Sequence, residues 1–204
     1  MDLKGKDILV LDLETQNSFK DVGRQNLHKL KVSVVCIYDY VTGEYASYEE
    51  KDIGQLEERL QNLGLMIGFN IRRFDLPVLA PYLFQSIDKI PCLDLIEVIE
   101  KVRGHRASLD SIAAPTLKVH KSAHGLEAIK MYHEGRMDDL KKYCLDDVRI
   151  TKDVYEYGCR EGKILFTSSW DYKTYEIPVD WTAETNTLLK KAPSETESFP
   201  TSLF

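Results

Sequence analysis

Ile8-Leu9-Val10-Leu11-Asp12-Leu13-Glu14 is the stretch from which the rest of this chain can be read. A run this apolar and this short is a central strand buried on both faces. Side chains alternate along a strand, so Ile8, Val10, Asp12 and Glu14 share one face while Leu9, Leu11 and Leu13 take the other. Two acids two residues apart therefore project from the end of a core strand into one small volume. Carboxylates that close resist ionising together unless a cation sits between them. Hard divalent ions such as magnesium are the natural occupant. Alone, Asp-x-Glu also describes a solvated strand end, so the reading depends on what else in the chain points to the same place.

Composition sets the frame. With 204 residues, 43% of them hydrophobic, the chain can bury one sizeable core. A net charge of −6 and a pI near 5.4 argue against a protein that coats nucleic acid by general electrostatics. They leave room for an enzyme that grips one strand end, because acids awaiting metal make the empty protein more acidic than the working one. Cys36, Cys92, Cys144 and Cys159 show no metal-ligand spacing and lie in apolar surroundings, which reads as reduced core thiols of an intracellular protein. With no signal peptide and no 18-residue apolar stretch, the expected location is the cytoplasm and no membrane is involved.

Outward from the first strand, Asn17 to Lys29 is a polar loop beside the acidic end. Lys31 to Tyr40 and Tyr45 to Tyr48 form a hairpin around Gly43, making strands one to three an antiparallel meander. Ile53, Leu56, Leu60 and Leu63 recur at helical spacing, and Leu65 to Phe69 is a fourth strand. A short fifth strand is expected at Ile90 to Leu93, leading into a helix through Val102. Helices follow at Leu109 to Leu117, Leu126 to His133 and Met137 to Tyr157, then a closing hairpin of Lys163 to Ser168 and Thr174 to Val179. The fold class is α/β, with a mixed five-stranded sheet flanked by helices.

Two more stations carry chemistry. Gly68-Phe69-Asn70-Ile71-Arg72-Arg73-Phe74-Asp75 lies where the fourth strand gives way to a helix, the end of an α/β sheet at which ligands collect. Asp75 before Leu76-Pro77 is also a good helix N-cap. Tyr143 and Asp147 are four apart in the long helix, hence on one face, beside the stripe Leu140, Cys144 and Val148 that should pack on the sheet. Asp146 is turned away by about a hundred degrees and reads as a surface acid.

In order and context, Asp12-Leu13-Glu14-Thr15, Asn70-x-x-x-Phe74-Asp75 and Tyr143-x-x-x-Asp147 resemble the DEDD superfamily of 3′ to 5′ exonucleases on a ribonuclease H-like fold. The tyrosine marks the subclass to which the proofreading domains of family B DNA polymerases and predicted helicase-associated nucleases belong. The histidine subclass would need His where Lys142 stands. The resemblance implies that Asp12, Glu14, Asp75 and Asp147 hold two magnesium or manganese ions, with Asp12 bridging them, and that Tyr143 orients the attacking water. It also implies that Thr15 and Gln16 line the terminal nucleotide, that Asn70 and Phe74 touch the strand, and that the substrate is the 3′ end of single-stranded nucleic acid, DNA rather than RNA. RNA exonuclease activity, ribonuclease H-like endonuclease activity and a non-catalytic nucleic-acid-binding module are the competing readings.

The basic loop Lys118 to Lys121, with His120, is a solvated loop or a phosphate contact, while His124 and His133 lack ligand spacing and read as structural. Residues 1–182 are expected to form the exonuclease domain and 183–204 a disordered tail rich in Ser, Thr, Glu and Pro. The ending Ser202-Leu203-Phe204 resembles the last positions of bacterial sliding-clamp-binding peptides, which implies a sliding clamp as a partner; Pro200 departs from that pattern, which prefers Gln there.

Overall fold

The computed structural model describes residues 3, 5–61, 63–119 and 125–191. In chain order, the strands are β1 (Ile8–Thr15), β2 (Val32–Asp39), β3 (Glu44–Glu49), β4 (Leu65–Gly68), β5 (Cys92–Asp94), β6 (Lys163–Thr167) and β7 (Thr174–Pro178). The helices are α1 (Phe19–Val22), α2 (Ile53–Leu60), α3 (Asp75–Leu79), α4 (Leu95–Arg103), α5 (Leu109–Leu117), α6 (Gly125–His133), α7 (Met137–Glu161) and α8 (Trp181–Lys191). The five-stranded sheet has the order β3-β2-β1-β4-β5. β1 is antiparallel to β2 and parallel to β4, as the meander followed by helix–strand alternation predicts.

The alternation read from β1 sorts the core into two layers. Ile8 and Val10 belong to the layer that α7 covers, while Leu9, Leu11 and Leu13 belong to the opposite one, over α2 and α3. α7 fits its layer because Leu140, Cys144, Val148, Thr151 and Val154 recur at spacings of three and four and are all buried. Burying each such aliphatic side chain contributes about 1.5–3 kcal/mol, which fixes α7 across the sheet and with it every side chain on the helix's flank.

The separate hairpin β6–β7 packs beside α4 and α5 on the same side. Order continues past residue 182, contrary to the expectation of a tail from Ala183. α8 docks because Trp181 is fully buried, the equally buried Thr185 meets the Tyr155 hydroxyl at 2.7 Å, and Leu188 and Leu189 lie against the core. Asp180 caps it through the Ala183 amide. Gly158 leaves room for the Trp181 ring, which any Cβ there would meet at 2.3 Å. The helix period was hidden because a buried threonine and small polar residues fill positions where an apolar stripe is sought. The clamp-like ending at Leu203 and Phe204, and the loop residues His120, Lys121 and His124, lie outside the described residues. His133 is exposed at the end of α6. Among the described residues no helix is long and apolar enough to cross a membrane, and all four cysteines are free.

Candidate active site

The site begins where β1 outruns its neighbour. Pairing between β1 and β4 stops at Val10 and Ile67, so Asp12 and Glu14 sit past the carboxyl end of the parallel strand. The Leu13 amide, which has no β4 residue to meet there, donates to Asp75 Oδ1 at 3.1 Å. Asp75 is the first residue of α3 and does not cap it; Phe74 holds the cap position without a side-chain bond. The N-cap reading of Asp75 is therefore corrected, because its carboxylate closes the edge of β1 instead of its own helix. The chain can turn this tightly from β4 to α3 because Gly68 lies against β1 and the turn: a Cβ there would be 2.7 Å from Ile71 Cδ1 and 3.1 Å from the Leu11 carbonyl.

From the other side, α7 brings Tyr143 and Asp147, both nearly inaccessible at 4% and 3% exposure. The Cys144 thiol lies 3.4 Å from the Asp12 carbonyl and ties the helix to the strand. Carboxylate oxygens of Asp12, Glu14 and Asp147 lie within 4.8 Å of one another. Burial, then the charge of Asp12, pushes the pKa of Asp75 well above the usual carboxylate range. Burial likewise raises the Tyr143 phenol, and the charges of Asp147, Glu14 and Asp12 raise it further, so it stays protonated and can donate. An all-oxygen donor set of clustered, partly buried carboxylates is what a hard divalent cation requires, and Asp12, Glu14 and Asp147 fit one.

The acids form one wall of a cavity of about 410 Å³, within the usual range for ligand sites. Thr15, Asn70 and Phe74 line it. Gln16 does not: its amide donates to the Val32 carbonyl and to Glu50 Oε2, both at 2.8 Å, on the far side of the strand end. The pairing of β1 with β2 slips by one residue between Glu14 and Thr15, and this irregularity ends the alternation that would have put Gln16 beside Glu14. Asn70 has a left-handed backbone, φ +70°, a conformation that asparagine tolerates. Its amide donates to Asp94 Oδ1 at 2.8 Å, and Arg106 donates to its side-chain oxygen.

Four contributors escaped the sequence reading. Phe19 packs edge-on to Phe74, ring centroids 5.7 Å apart, and Leu126 and Ile129 of α6 line the same cavity. The signal for Phe19 was an aromatic stranded in a polar loop beside the acidic strand; Leu126, 72% exposed, carried none. Asp94, at the end of β5, is 2% exposed and accepts from the amides of Asn70, Arg72 and Ile96. It fixes the turn that presents Asn70. Burial raises its pKa, and the three amide donors offset this only in part.

Comparison with known proteins agrees with this architecture. The DNA-directed DNA polymerase of Enterobacteria phage T3 is 24% identical over 210 residues, covering 95% of this chain and 27% of the polymerase. The chain therefore spans about a quarter of that relative's length. Among solved structures, the family B DNA polymerase of the hyperthermophilic archaeon Pyrobaculum calidifontis superposes with a TM-score of 0.58 at 17% identity, covering 74% of this chain and 24% of that one. The model of the RNase_H superfamily matches residues 9–159, a span that holds β1 through most of α7 and all four acids. This chain, with its mixed sheet and the acids at its carboxyl edge, belongs to the RNase_H superfamily.

Proposed function

We propose that the chain is a metal-dependent 3′ to 5′ exonuclease that removes nucleotides from the 3′ end of single-stranded nucleic acid, DNA in preference to RNA. The observation that carries this reading is the cluster of Asp12, Glu14 and Asp147 oxygens within 4.8 Å, with Tyr143 beside Asp147, in a cavity that Phe19 and Phe74 also line. Membership of the RNase_H superfamily supports nuclease chemistry. Likeness to about a quarter of two proteins named as DNA polymerases supports a proofreading-type domain and DNA as the polymer.

Asp12, Glu14, Asp75 and Asp147 would hold two magnesium or manganese ions. Divalent ions bound there would neutralise charge on the phosphodiester oxygens and acidify water. The chain's own groups do the rest. Burial and the charge of Asp12 raise the Asp75 carboxyl well above its ordinary value, and a cation bound beside it would favour its ionised form. Tyr143 is too weak an acid to serve as a base near neutrality, so its hydroxyl positions the attacking water by hydrogen bonding. Phe19, Phe74 and Leu126 line the cavity and would receive the terminal base; aromatic stacking there tolerates any base. The catalytic unit would extend through α8, since Trp181 and Thr185 belong to its core.

Oligonucleotides of DNA and RNA with either end blocked test the reading. Magnesium-dependent shortening from a free 3′ end, abolished by a 3′ block and faster on DNA, is the expected result. Internal cleavage of end-blocked strands would replace it with the endonuclease reading, which has no use for Tyr143, and robust hydrolysis in excess chelator would end the metal mechanism.

A further inference from the structure

The turn that joins β6 to β7 is built the reverse way from an ordinary surface turn. Its polar side chains hold it from within: Ser168 Oγ accepts from the Trp170 amide at 3.2 Å, and Asp171 accepts from the Lys173 amide at 3.2 Å and from the Tyr175 hydroxyl. Backbone bonds of 2.9 Å from Ser168 to Lys173 and from Tyr172 to Ser168 close it. Its large rings face water, Trp170 at 90% and Tyr172 at 84% exposure. Tyr172 also holds φ at +57°, where glycine is at ease and a bulky residue is strained. Strain retained merely to expose a tyrosine calls for a contact made outside the chain.

Behind the tip, Arg103, His105 and Arg106 lead from the hairpin to the catalytic cavity. The Arg103 guanidinium lies over Phe166 and Tyr175, 5.1 and 4.6 Å from the ring centroids, the second residue pair from the turn. The His105 ring stands 5.8 Å from Phe166. Arg106, exposed, donates to Asn70, which lines the cavity. The chain from Arg103 to Arg106 covers at most about 10 Å, so this segment bridges the hairpin to the cavity mouth.

We propose that Trp170 and Tyr172, with Arg103, His105 and Arg106, form a second subsite for single-stranded nucleic acid, holding the strand several nucleotides upstream of the end in the cavity. Flat rings that stack on bases beside cations that meet phosphates are how sequence-tolerant single-strand sites are made. The carboxylate cavity attracts no polyanion without its metal, so a remote grip of this kind gives an acidic protein its affinity for a polymer. The inference rests on the exonuclease reading for the placement of the strand end.

The exposed Trp170 makes the test direct, because the chain's other tryptophan, Trp181, is fully buried. The full chain is titrated in calcium with phosphorothioate oligothymidylates, a trimer and a dodecamer, while tryptophan emission is followed. The dodecamer should quench Trp170 and bind at least about tenfold tighter than the trimer, the gain expected from one or two stacked bases. Trp170→Ala combined with Tyr172→Ala should erase that length advantage, and Arg106→Gln should lower the salt dependence by about one unit of slope. Tyr172→Gly, which relieves the positive φ, should lose part of the advantage while melting no lower than the parent, separating binding from folding. Equal affinity for the two lengths, or an advantage that survives the double substitution, overturns the proposal; the second outcome leaves the tip as a protein-docking surface. Turnover is not read in this assay, so a chain that shows the length advantage and never hydrolyses refutes the exonuclease reading alone.

Discussion

The two ends of the central strand treat their acids in opposite ways. At the entry to β1, Asp7 and Asp39 share Arg59, whose Nε reaches Asp39 Oδ2 at 2.6 Å and whose Nη2 reaches Asp39 Oδ1 at 3.1 Å and Asp7 Oδ1 at 2.9 Å. Burial alone would raise the Asp39 carboxyl, but the Arg59 fork together with the Val41 and Thr42 amides outweighs it and holds the pKa below the ordinary value. At the exit from β1, Asp12, Glu14 and Asp147 crowd together, and burial with the charge of Asp12 pushes the Asp75 carboxyl up. A guanidinium sits between the acids at the entry; at the exit the acids crowd one another, and a bound cation would lower that repulsion. Acids of the first kind do structural work; acids of the second kind mark a place where an ion belongs.

The comparison is broken hardest by removing one acid at the exit. Asp12→Ala or Asp147→Ala should lower hydrolysis by at least about a thousandfold, consistent with the loss of a metal site. Melting in chelator should be unchanged or raised, because crowding is relieved. A steady-state assay beside a thermal melt checks both. A collapsed fold would place these acids in the structural class, with Asp39.

Tyr143→Phe comes next, with a rate lower by about ten- to a thousandfold, the range for a group positioned to assist proton movement. Affinity for a single strand in calcium should stay within about twofold. Wild-type turnover in this variant would reduce Tyr143 to packing between α7 and the acids, and single-turnover kinetics would show it.

How much of this was legible depends on whether a periodicity survives to the residue in question. Alternation along β1 pairs Asp12 with Glu14, and helical spacing in α7 pairs Tyr143 with Asp147; that the two pairs meet is what the resemblance implied. The resemblance also implied Gln16 in the site, and the slip between Glu14 and Thr15 turns it elsewhere. Asp75 was placed at the right loop but given the wrong partner, since a bond to Leu13, 62 residues away, has no local pattern. Asp94 had the composition of a helix cap, and it is one; its grip on Asn70 is tertiary. Phe19 and Leu126 line one cavity from elements far apart in the chain, and no periodicity relates them.

At the entry, Arg59→Ala should leave turnover near the parent level and lower stability by about 1–2 kcal/mol. The side chains of Arg59 and Asp39 are 27% and 9% exposed, between an exposed pair of little worth and a buried one whose rupture strands a charge. For a chain of this size the melting temperature should fall by about 2–8 °C. A large loss of activity without loss of stability would show that the two ends of β1 are not separate in function.

The smallest expected effect, and the sharpest in sign, is the dependence of stability on pH at the two ends. Asp75 has a folded-state pKa above that of the unfolded chain, about 3.9 for aspartate. Its contribution is fully present below that value and is lost as pH rises through the folded pKa, because the folded state then binds the proton more tightly than the unfolded one. Asp39 has a folded-state pKa below the unfolded one, so its contribution is present above about pH 4 and is lost as pH falls. Asparagine cannot titrate, so Asp75→Asn in chelator should melt increasingly above the parent as pH rises from 4 toward 8. Asp39→Asn should melt below the parent at neutral pH, with the deficit shrinking as pH drops under 4. Magnesium should then reverse the first difference alone, because a cation that binds only the folded parent stabilises it by mass action, whereas Arg59 already occupies the other end. Melting curves of the three proteins across pH, with and without magnesium, read all of this. Parallel profiles for the two asparagine variants would show that the acids at the exit are compensated within the chain, as those at the entry are, and that no ion is needed there.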